Sequence, residues 1–473
     1  MPKKAVYLTL SHCWGGYHVI SLFERNQHAF QDNIPWNDLP KTFQDAILVA
    51  RRLGFSYLWI DSLCIIQDSA DDWGREAKLM GDIYKNAVCN IAASDGAHSS
   101  HGCFFPRQPQ MLQPTMLPCT SGKQRYLVNE TDLFDEHILY TRAWVLQEAL
   151  LARRTLDCGR AQLFWRCGEM TASEVFPSGL PRHIANGNHP ASKFHLRSSL
   201  EEEGRVIDIN ILEKLLRSKS EMSQLPIAPG KGSVSPNPSH STFGLWATIV
   251  GLYTEMKLTE DTDRAVALSG IIDIFRPFFG THYHGLWQIF MPFELLWMAN
   301  GTSTKPSKRR APSWSWMSFE GPMTYKNCKF QFGTDNLVTQ FIGVEDKSHE
   351  TRLRLSGPML RARWRAERDS GPDKPAVITH LDEDAQMRFI TGSYGNIYFD
   401  HWDEGMPAED VVCMPITVIR HEYHPIWTKR LISGLVLQQK SNDVFVRLGY
   451  FEAREEEFMA PLKKSQRREA TII

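Results

Sequence analysis

Residues 57–60 read YLWI, a continuous apolar run that ends in Asp61. A run without polar alternation is typical of a strand that is covered on both faces. Residues 6–10 (VYLTL) and 88–93 are similar β-rich runs, and the first of them ends in Ser11. We therefore predict three short strands of one sheet.

Two amphipathic helices are predicted between these strands, at about residues 43–53 and 72–87. Their predicted buried faces carry Phe43, Ala46, Ile47, Ala50 and Leu53 in the first helix, and Trp73, Ala77, Met80, Tyr84 and Ala87 in the second. Thr42 followed by Asp45 predicts a capping box at the start of the first helix, and Gly54 predicts its end.

The resulting βαβαβ order implies an α/β fold with a parallel sheet and right-handed crossovers. In such sheets ligands bind beyond the carboxyl ends of the strands. The side chains that the sequence places there are Ser11, His12 and Trp14 after the first strand, Asp61 after the second, and Ser94 and Asp95 after the third.

The rest of the chain divides less sharply. Residues 96–140 contain several prolines and predict an inserted loop or hairpin, followed by a helix at about 142–151 and strands at 155–158 and 162–165. We predict an α/β domain over 1–183, and a variable segment with a Pro/Gly/Ser-rich linker over 184–241. A helical and then β-rich C-terminal region over 242–453, with helices at 243–253 and 263–279, and a charged, frayed tail over 454–473 complete the prediction.

Composition excludes several classes of protein. Over 473 residues the hydrophobic fraction is 42% and the formal net charge is −1, which is an ordinary globular balance without a global attraction to nucleic acid. The nine cysteines include no CxxC pair and predict neither a disulfide framework nor a structural zinc site. No apolar stretch reaches the roughly 18–20 residues that span a membrane. Together with the absence of a signal-peptide pattern, these features predict a cytoplasmic protein.

Three blocks in order give a more specific signal. They are residues 10–16 (LSHCWGG), residues 58–68 (LWIDSLCIIQD) and residues 142–148 (RAWVLQE), the last continuing to 162–167 (QLFWRC). Their order and spacing resemble the heterokaryon incompatibility (HET) domain of filamentous fungi. Members commonly carry a longer segment before the first block, so the resemblance implies a shortened N-terminus here.

The HET family is distantly similar to Toll/interleukin-1 receptor (TIR) domains. This similarity implies a flavodoxin-like parallel sheet flanked by helices, cell-death signalling through self-association or other death-signalling proteins, and NAD as a candidate substrate. TIR enzymes carry a glutamate in a W-x-x-x-E segment. Trp144 and Glu148 match that pattern, so the resemblance assigns Glu148 as the catalytic residue.

The chemistry of NAD hydrolysis suits one buried carboxylate. Nicotinamide leaves as a neutral molecule, so the site has to stabilise an oxocarbenium-like ribose rather than supply a strong acid. The predicted ligand-contacting residues are Ser11, His12, Trp14, Asp61 and Trp144, and no metal or prosthetic group is predicted. The alternative for Glu148 is a capping glutamate, or one that forms an ion pair with Arg142 or Arg153.

The other candidates also have structural alternatives. Asp61 either holds a ribose hydroxyl or caps the following turn. Trp14 either stacks on a flat ring or belongs to the core. His12 could serve a nucleophilic Cys13 or Cys64, although adjacent residues on a strand point to opposite faces.

The sequence thus predicts a protein of self/non-self recognition and programmed cell death. Three mechanisms remain open: cleavage of NAD, a non-enzymatic self-associating signalling module, and a cysteine hydrolase.

Overall fold

A computed structural model describes residues 5–16, 19–107, 115–117, 125–127, 137–180, 242–300, 303–306, 308–325, 337–347, 350–365, 376–381, 395–400, 411–424 and 427–473. The chain forms two compact units. The first comprises Met1–Gln224 and Met256–Phe275, and the second comprises Leu225–Glu255 and Arg276–Ile473. The predicted linker at 184–241 lies outside the described residues.

The first unit contains a six-stranded sheet in the order β2-β1-β3-β6-β7-β8. The strands of this unit are β1 (Leu8–Ser11), β2 (Leu58–Trp59), β3 (Cys89–Ala92), β4 (Thr115–Leu117), β5 (Arg125–Leu127), β6 (Arg154–Cys158), β7 (Leu163–Cys167) and β8 (Thr171–Ser173). Strand β1 pairs in parallel with β2 and β3, and β3 pairs in parallel with β6. The predicted parallel arrangement is confirmed, while β7 and β8 extend the sheet in antiparallel fashion. Separately, β4 and β5 form the predicted hairpin.

The α-helices of the first unit are α1 (Gln27–Asp32), α2 (Lys41–Arg52), α3 (Asp61–Cys64), α4 (Ala70–Asn86) and α5 (Ala143–Leu151). The side chain of Ser69 caps α4 by accepting a hydrogen bond from the backbone of Asp72. Gly54 follows the end of α2 with a φ of 81°, as its predicted role requires.

The predicted capping box of α2 is wrong. The helix begins at Lys41, directly after Pro40, so Thr42 and Asp45 lie inside it and are buried. Instead of capping the helix, their side-chain oxygens accept hydrogen bonds from the backbone of Gly102 and Cys103. The helix thereby anchors the loop that follows β3.

Two residues of the predicted helix faces are exposed. Leu53 is 53% exposed at the end of α2, and Trp73 is 36% exposed on α4. The other predicted stripe residues, including Phe43 and Tyr84, are buried or half-buried. The periodicity therefore located both helices correctly but overestimated how far each apolar stripe is covered.

Strand β1 separates an apolar face from a polar one. Leu8 and Leu10 pack in a core cluster with Phe43 of α2. On the other face, Thr9 and Ser11 hydrogen-bond to the side chain of Asn90 on β3. Because successive strand residues point to opposite faces, this polar row lies on one side of the sheet.

The second unit is β-rich, as predicted. Its strands are β9 (His282–Tyr283), β10 (Leu286–Trp287), β11 (Met298–Ala299), β12 (Met323–Thr324), β13 (Gln340–Lys347), β14 (Glu350–Pro358), β15 (Leu360–Arg365), β16 (Ala376–Leu381), β17 (Gly395–Phe399), β18 (Val411–His424), β19 (Trp427–Ser441), β20 (Val444–Arg454) and β21 (Arg467–Ile472). Because β20 also pairs with β19, strands β15 to β20 close into a ring of six.

The predicted C-terminal helices are confirmed as α6 (Thr242–Glu255) and α7 (Ser269–Phe279), the latter preceded by 3-10 turns at Asp261–Arg264 and Val266–Leu268. The prediction of a frayed tail is wrong. Residues after 454 form α8 (Glu455–Lys464) and β21, which pairs with β14 and β20. Within β21 the side chains of Ala470 and Ile472 are fully buried, and this burial holds the charged segment in place.

No helix in the described part of the chain combines the length and the apolar character needed to cross a membrane.

Candidate functional site

A cleft of about 680 Å³ opens at the carboxyl ends of β1 and β2. It lies within the first unit, at the edge where a parallel sheet predicts a ligand site. Its lining residues are Cys13, Trp14, Gly15, Gly16, Asp61, Ile65, Gln67, Trp73, Ala77, Met80, Ala97, Ile138, Thr141, Arg142, Trp144, Glu148, Lys257, Leu258, Thr259 and Asp263. Four of the six predicted site residues are among them: Trp14, Asp61, Trp144 and Glu148.

Glu148 lies at the buried end of this cleft. Its side chain projects from α5, is 6% exposed and accepts a hydrogen bond from the hydroxyl of Ser11. Burial raises the pKa of the Glu148 carboxyl to about 7, against the Ser11 hydrogen bond and the positive charge of Arg142, which both lower it. The carboxyl is therefore divided between its protonated and ionised forms near neutral pH.

The Ser11 hydroxyl is itself held in place. The amide of Asn90 donates a hydrogen bond of 2.9 Å to Ser11 Oγ. Ser11 is buried and is not part of the cleft surface, so it supports Glu148 from behind rather than facing a ligand. The sheet thereby fixes the orientation of the carboxyl at the end of the cleft.

The predicted ion-pair alternative for Glu148 is not what the structure shows. Arg153 donates to the backbone oxygen of Lys85, and Arg142 donates to that of His12. Among the described residues, neither arginine forms an ion pair with Glu148. The positive charge of Arg142 nevertheless lowers the pKa of the Glu148 carboxyl.

A second pair joins Trp14 and Asp61 on the cleft wall. The indole nitrogen of Trp14 donates to Asp61 Oδ2 at 2.9 Å, and Asp61 Oδ1 accepts from the backbone of Ser62 at 2.7 Å. Asp61 therefore holds the turn that starts α3 and also faces the cleft, so the two interpretations of this residue are compatible. The Trp14 ring is half-buried and remains available at the cleft surface.

Gly15 is required beside Trp14. Its φ is 74°, and a Cβ atom there would lie 2.2 Å from the Cβ of His98. Any other residue would force the loop after β1 away from the loop after β3. The glycine thus lets the two loops approach each other at the cleft rim.

Trp144 also lines the cleft. Its indole nitrogen donates to Asp263 Oδ2 at 3.1 Å, and its ring meets the edge of Trp73 with the ring centroids 6.4 Å apart. The exposure of Trp73 is explained by this position, because its ring forms part of the cleft surface.

His12 is buried behind the cleft lining, with its Nδ1 3.9 Å from Asp61 Oδ1. It is 3% exposed and packs edge-on against Phe43, with ring centroids 4.9 Å apart. Burial lowers its pKa, and within the described residues neither ring nitrogen has a hydrogen-bond partner. His12 shares the strand parity of Leu8 and Leu10, which accounts for its place on the apolar face, and its predicted contact with a ligand has no support from this geometry.

A cysteine hydrolase would need His12 as the base that activates a thiol, and the placement of His12 does not provide this. His12 makes no hydrogen bond to Cys13 or Cys64 in the described part of the chain. Burial raises the pKa of both thiols, that of Cys64 to about 11. A thiolate nucleophile needs the opposite shift.

The sequence did not predict two parts of the site. Arg142 was considered only as an ion-pair partner, although its guanidinium contributes to the cleft wall. Residues 256–263, which we call the strap, form a further wall from more than a hundred positions downstream. The strap is fixed by backbone hydrogen bonds from Lys257 to Thr141 (2.7 Å) and from Ala143 to Lys257 (2.9 Å). Backbone hydrogen bonds do not depend on the side chains, so the sequence gives no sign of them.

Across the described residues, no group of three or more His, Cys, Asp or Glu side chains is arranged to hold a metal ion.

The fold and cleft define an α/β domain with a candidate ligand site at the carboxyl edge of its sheet. Residues 7–148 match the family model described as heterokaryon incompatibility protein (HET). The chain thus carries a HET domain, as the three sequence blocks predicted. No curated protein and no solved structure matches the chain.

Proposed function

We propose that this protein acts in self/non-self recognition and programmed cell-death signalling, and that its HET domain does so by cleaving NAD. The observation that carries the enzymatic part is Glu148: a buried carboxyl, oriented by Ser11, in a cleft that Trp14 and Trp144 also line. The TIR-like W-x-x-x-E pattern and the strand-edge location support the same assignment.

The proposed reaction is hydrolysis of the bond between ribose C1 and the nicotinamide nitrogen. The bonding electrons leave with nicotinamide, which departs neutral, and water adds to C1. The products are ADP-ribose, nicotinamide and a proton. An ionised Glu148 would stabilise the positive charge that develops on the ribose, and its location in a water-poor site strengthens that interaction.

The dimensions and lining of the cleft suit this ligand class. Pockets for small molecules typically measure about 300–1,000 Å³ and combine apolar walls with a few oriented polar groups. Trp14 and Trp144 offer flat surfaces for the nicotinamide or adenine ring, and Asp61 offers a carboxylate for a ribose hydroxyl. Since Asp61 is already tied to Trp14, both groups would be preorganised before the ligand binds.

The experiment is to follow nicotinamide release from NAD by wild-type protein, Glu148→Gln and Glu76→Gln. Glu76 lies on α4, is paired with Arg75 and is outside the cleft lining, which makes it a matched control. We expect Glu148→Gln to reduce release by on the order of a hundredfold or more, and Glu76→Gln to leave it nearly unchanged. The assay should include protein concentrations high enough for self-association.

The alternative is a non-enzymatic self-associating signalling module. Absence of release at every protein concentration, with cell killing retained on expression of both wild type and Glu148→Gln, would favour that alternative over the proposed hydrolysis.

A further inference from the structure

The cleft contains two cations and three carboxyl groups that are not paired with each other. Asp61, Glu148 and Asp263 are engaged by Trp14, Ser11 and Trp144 respectively, which are all neutral donors. Among the described residues, Arg142 and Lys257 form no ion pair with any of the three carboxyl groups. In the described part of the chain, neither cation is therefore held in an ion pair by a carboxyl group of the cleft, although the charge of Arg142 acts on Glu148.

The two cations differ in their setting. Arg142 is half-buried, donates to the backbone oxygen of His12 and influences the pKa of both Cys13 and Glu148, which places it toward the inner part of the cleft. Lys257 is exposed and belongs to the strap. Its backbone is fixed on both sides by the hydrogen bonds to Thr141 and Ala143. Arg142 and Lys257 are partners in a parallel β-bridge, so their two side chains start from neighbouring points of the cleft lining.

We propose that Lys257, together with Arg142, recognises the diphosphate of a dinucleotide in this cleft. This inference rests on the proposed function and specifies how the ligand is oriented. A diphosphate bound between the two cations would leave one nucleoside toward Glu148 and the other toward the cleft mouth. Charge-assisted hydrogen bonds from lysine and arginine are the usual means of recognising phosphate oxygens.

Besides Lys257, the strap carries a second residue that acts on the cleft. Asp263 lies on the strap and holds Trp144, so one short segment would position both a ring-stacking side chain and a phosphate-binding side chain. Lys257 is thus a specificity-determining residue, since it would favour phosphorylated ligands over nucleosides. It lies outside residues 7–148, so the domain's family-matched segment alone would not contain it.

The test is equilibrium binding of ADP-ribose and of adenosine, measured by isothermal titration calorimetry on the full chain. Both probes avoid the cleavage step, because neither contains nicotinamide. The variants are Lys257→Met and Lys257→Arg, with Lys78→Met as a control, because Lys78 is an exposed lysine of α4 outside the cleft. We expect Lys257→Met to weaken ADP-ribose binding about tenfold while adenosine binding is unchanged. Lys257→Arg should restore most of the affinity, and Lys78→Met should match the wild type.

The outcomes separate the two proposals. If wild type binds ADP-ribose and Lys257→Met binds it equally well, the diphosphate assignment is wrong while the proposed function stands. Equal loss of ADP-ribose and adenosine affinity in Lys257→Met would also overturn it, because a charge contact to phosphate cannot affect a nucleoside. If the wild-type protein releases nicotinamide from NAD but binds neither probe, the diphosphate assignment is wrong and the proposed function stands; absence of both release and binding would overturn both proposals.

Discussion

Replacing Glu148 with glutamine should change how the stability of the protein depends on pH. The pKa of this carboxyl is raised by burial from 4.5 to about 7, so the native state holds its proton more tightly than the unfolded chain does. Between these two pH values the native state binds more protons at this group, and the contribution of Glu148 to the stability of the wild type therefore falls as pH rises. The stabilisation is fully present below about pH 4.5 and is lost as pH rises through about 7.

The size of the effect follows from the same values. A tenfold difference in proton affinity corresponds to about 1.4 kcal/mol, so the full loss amounts to roughly 3 kcal/mol, of which about 2.5 kcal/mol falls between pH 5 and pH 8. Glutamine keeps the size of the side chain and cannot ionise. The free energy of unfolding of Glu148→Gln, relative to wild type, should therefore increase by about 2.5 kcal/mol over that pH range.

The assay is urea denaturation of wild type and Glu148→Gln at a series of pH values from 5 to 8. Every other titrating group is present in both proteins and cancels in the difference. Glu24→Gln removes an exposed carboxylate of the same unit and controls for the loss of one negative charge. A difference between Glu148→Gln and wild type that stays constant to within about 0.5 kcal/mol would refute the buried, proton-binding state of this carboxyl.

Three further predictions concern the rate, the helix packing and the ligand contact. In a pH–rate profile for NAD cleavage, Ser11→Ala should move the apparent pKa of kcat/KM above about 7, because the lost hydrogen bond stabilises the ionised carboxyl; an unmoved profile would argue against this role. Gly81→Ala should destabilise the protein by about 1–3 kcal/mol, since its Cβ would lie 2.7 Å from Gly270 Cα. The control is Gly74→Ala on the same helix, where a Cβ meets open space, and it should be neutral or stabilise the protein by up to about 1 kcal/mol. If thermal unfolding shows Gly81→Ala to be the more stable of the two variants, the close packing of Gly81 against Gly270 is wrong. Trp14→Ala should raise KM for NAD about tenfold or more through loss of ring stacking, whereas Trp14→Phe should retain most of the affinity; steady-state kinetics in which both variants behave alike would count against stacking.

The central layout of the first unit could be predicted because its signals are local. The apolar runs at 57–60 and 88–93 favoured strands, and the helices between them implied parallel neighbours. The prediction that the first run is covered on both faces was wrong, because it forms a two-residue strand at the edge of the sheet and Tyr57 is 39% exposed. The position of Glu148 at the strand edge followed from the family resemblance and from the order of elements. Its burial and its hydrogen bond to Ser11 required coordinates.

His12 shows where the prediction failed for a reason that the sequence already contained. Leu8, Leu10 and His12 have the same strand parity, and Ser11 has the other. Since Leu10 packs against α2, alternation alone directs His12 toward Phe43 and Ser11 toward Glu148. The alternation of side chains along the strand therefore predicts the direction of the His12 side chain better than its position next to the strand end does.

The strap could not be predicted at all. Its attachment to residues 141–143 depends on backbone hydrogen bonds, which any residue except proline can make. Lys257 carries no local pattern that distinguishes it from other surface lysines. Contacts of this kind, between segments separated by more than a hundred residues, become visible only when the chain is folded.

The most direct test of the account is a crystal structure of the Glu148→Gln protein grown with saturating NAD. We predict the dinucleotide in the cleft at the ends of β1 and β2, with the nicotinamide ribose against the side chain of residue 148 and the diphosphate beside Lys257. An empty cleft under those conditions, or NAD bound elsewhere on the protein, would contradict the proposal that this carboxyl acts on the glycosidic bond of NAD.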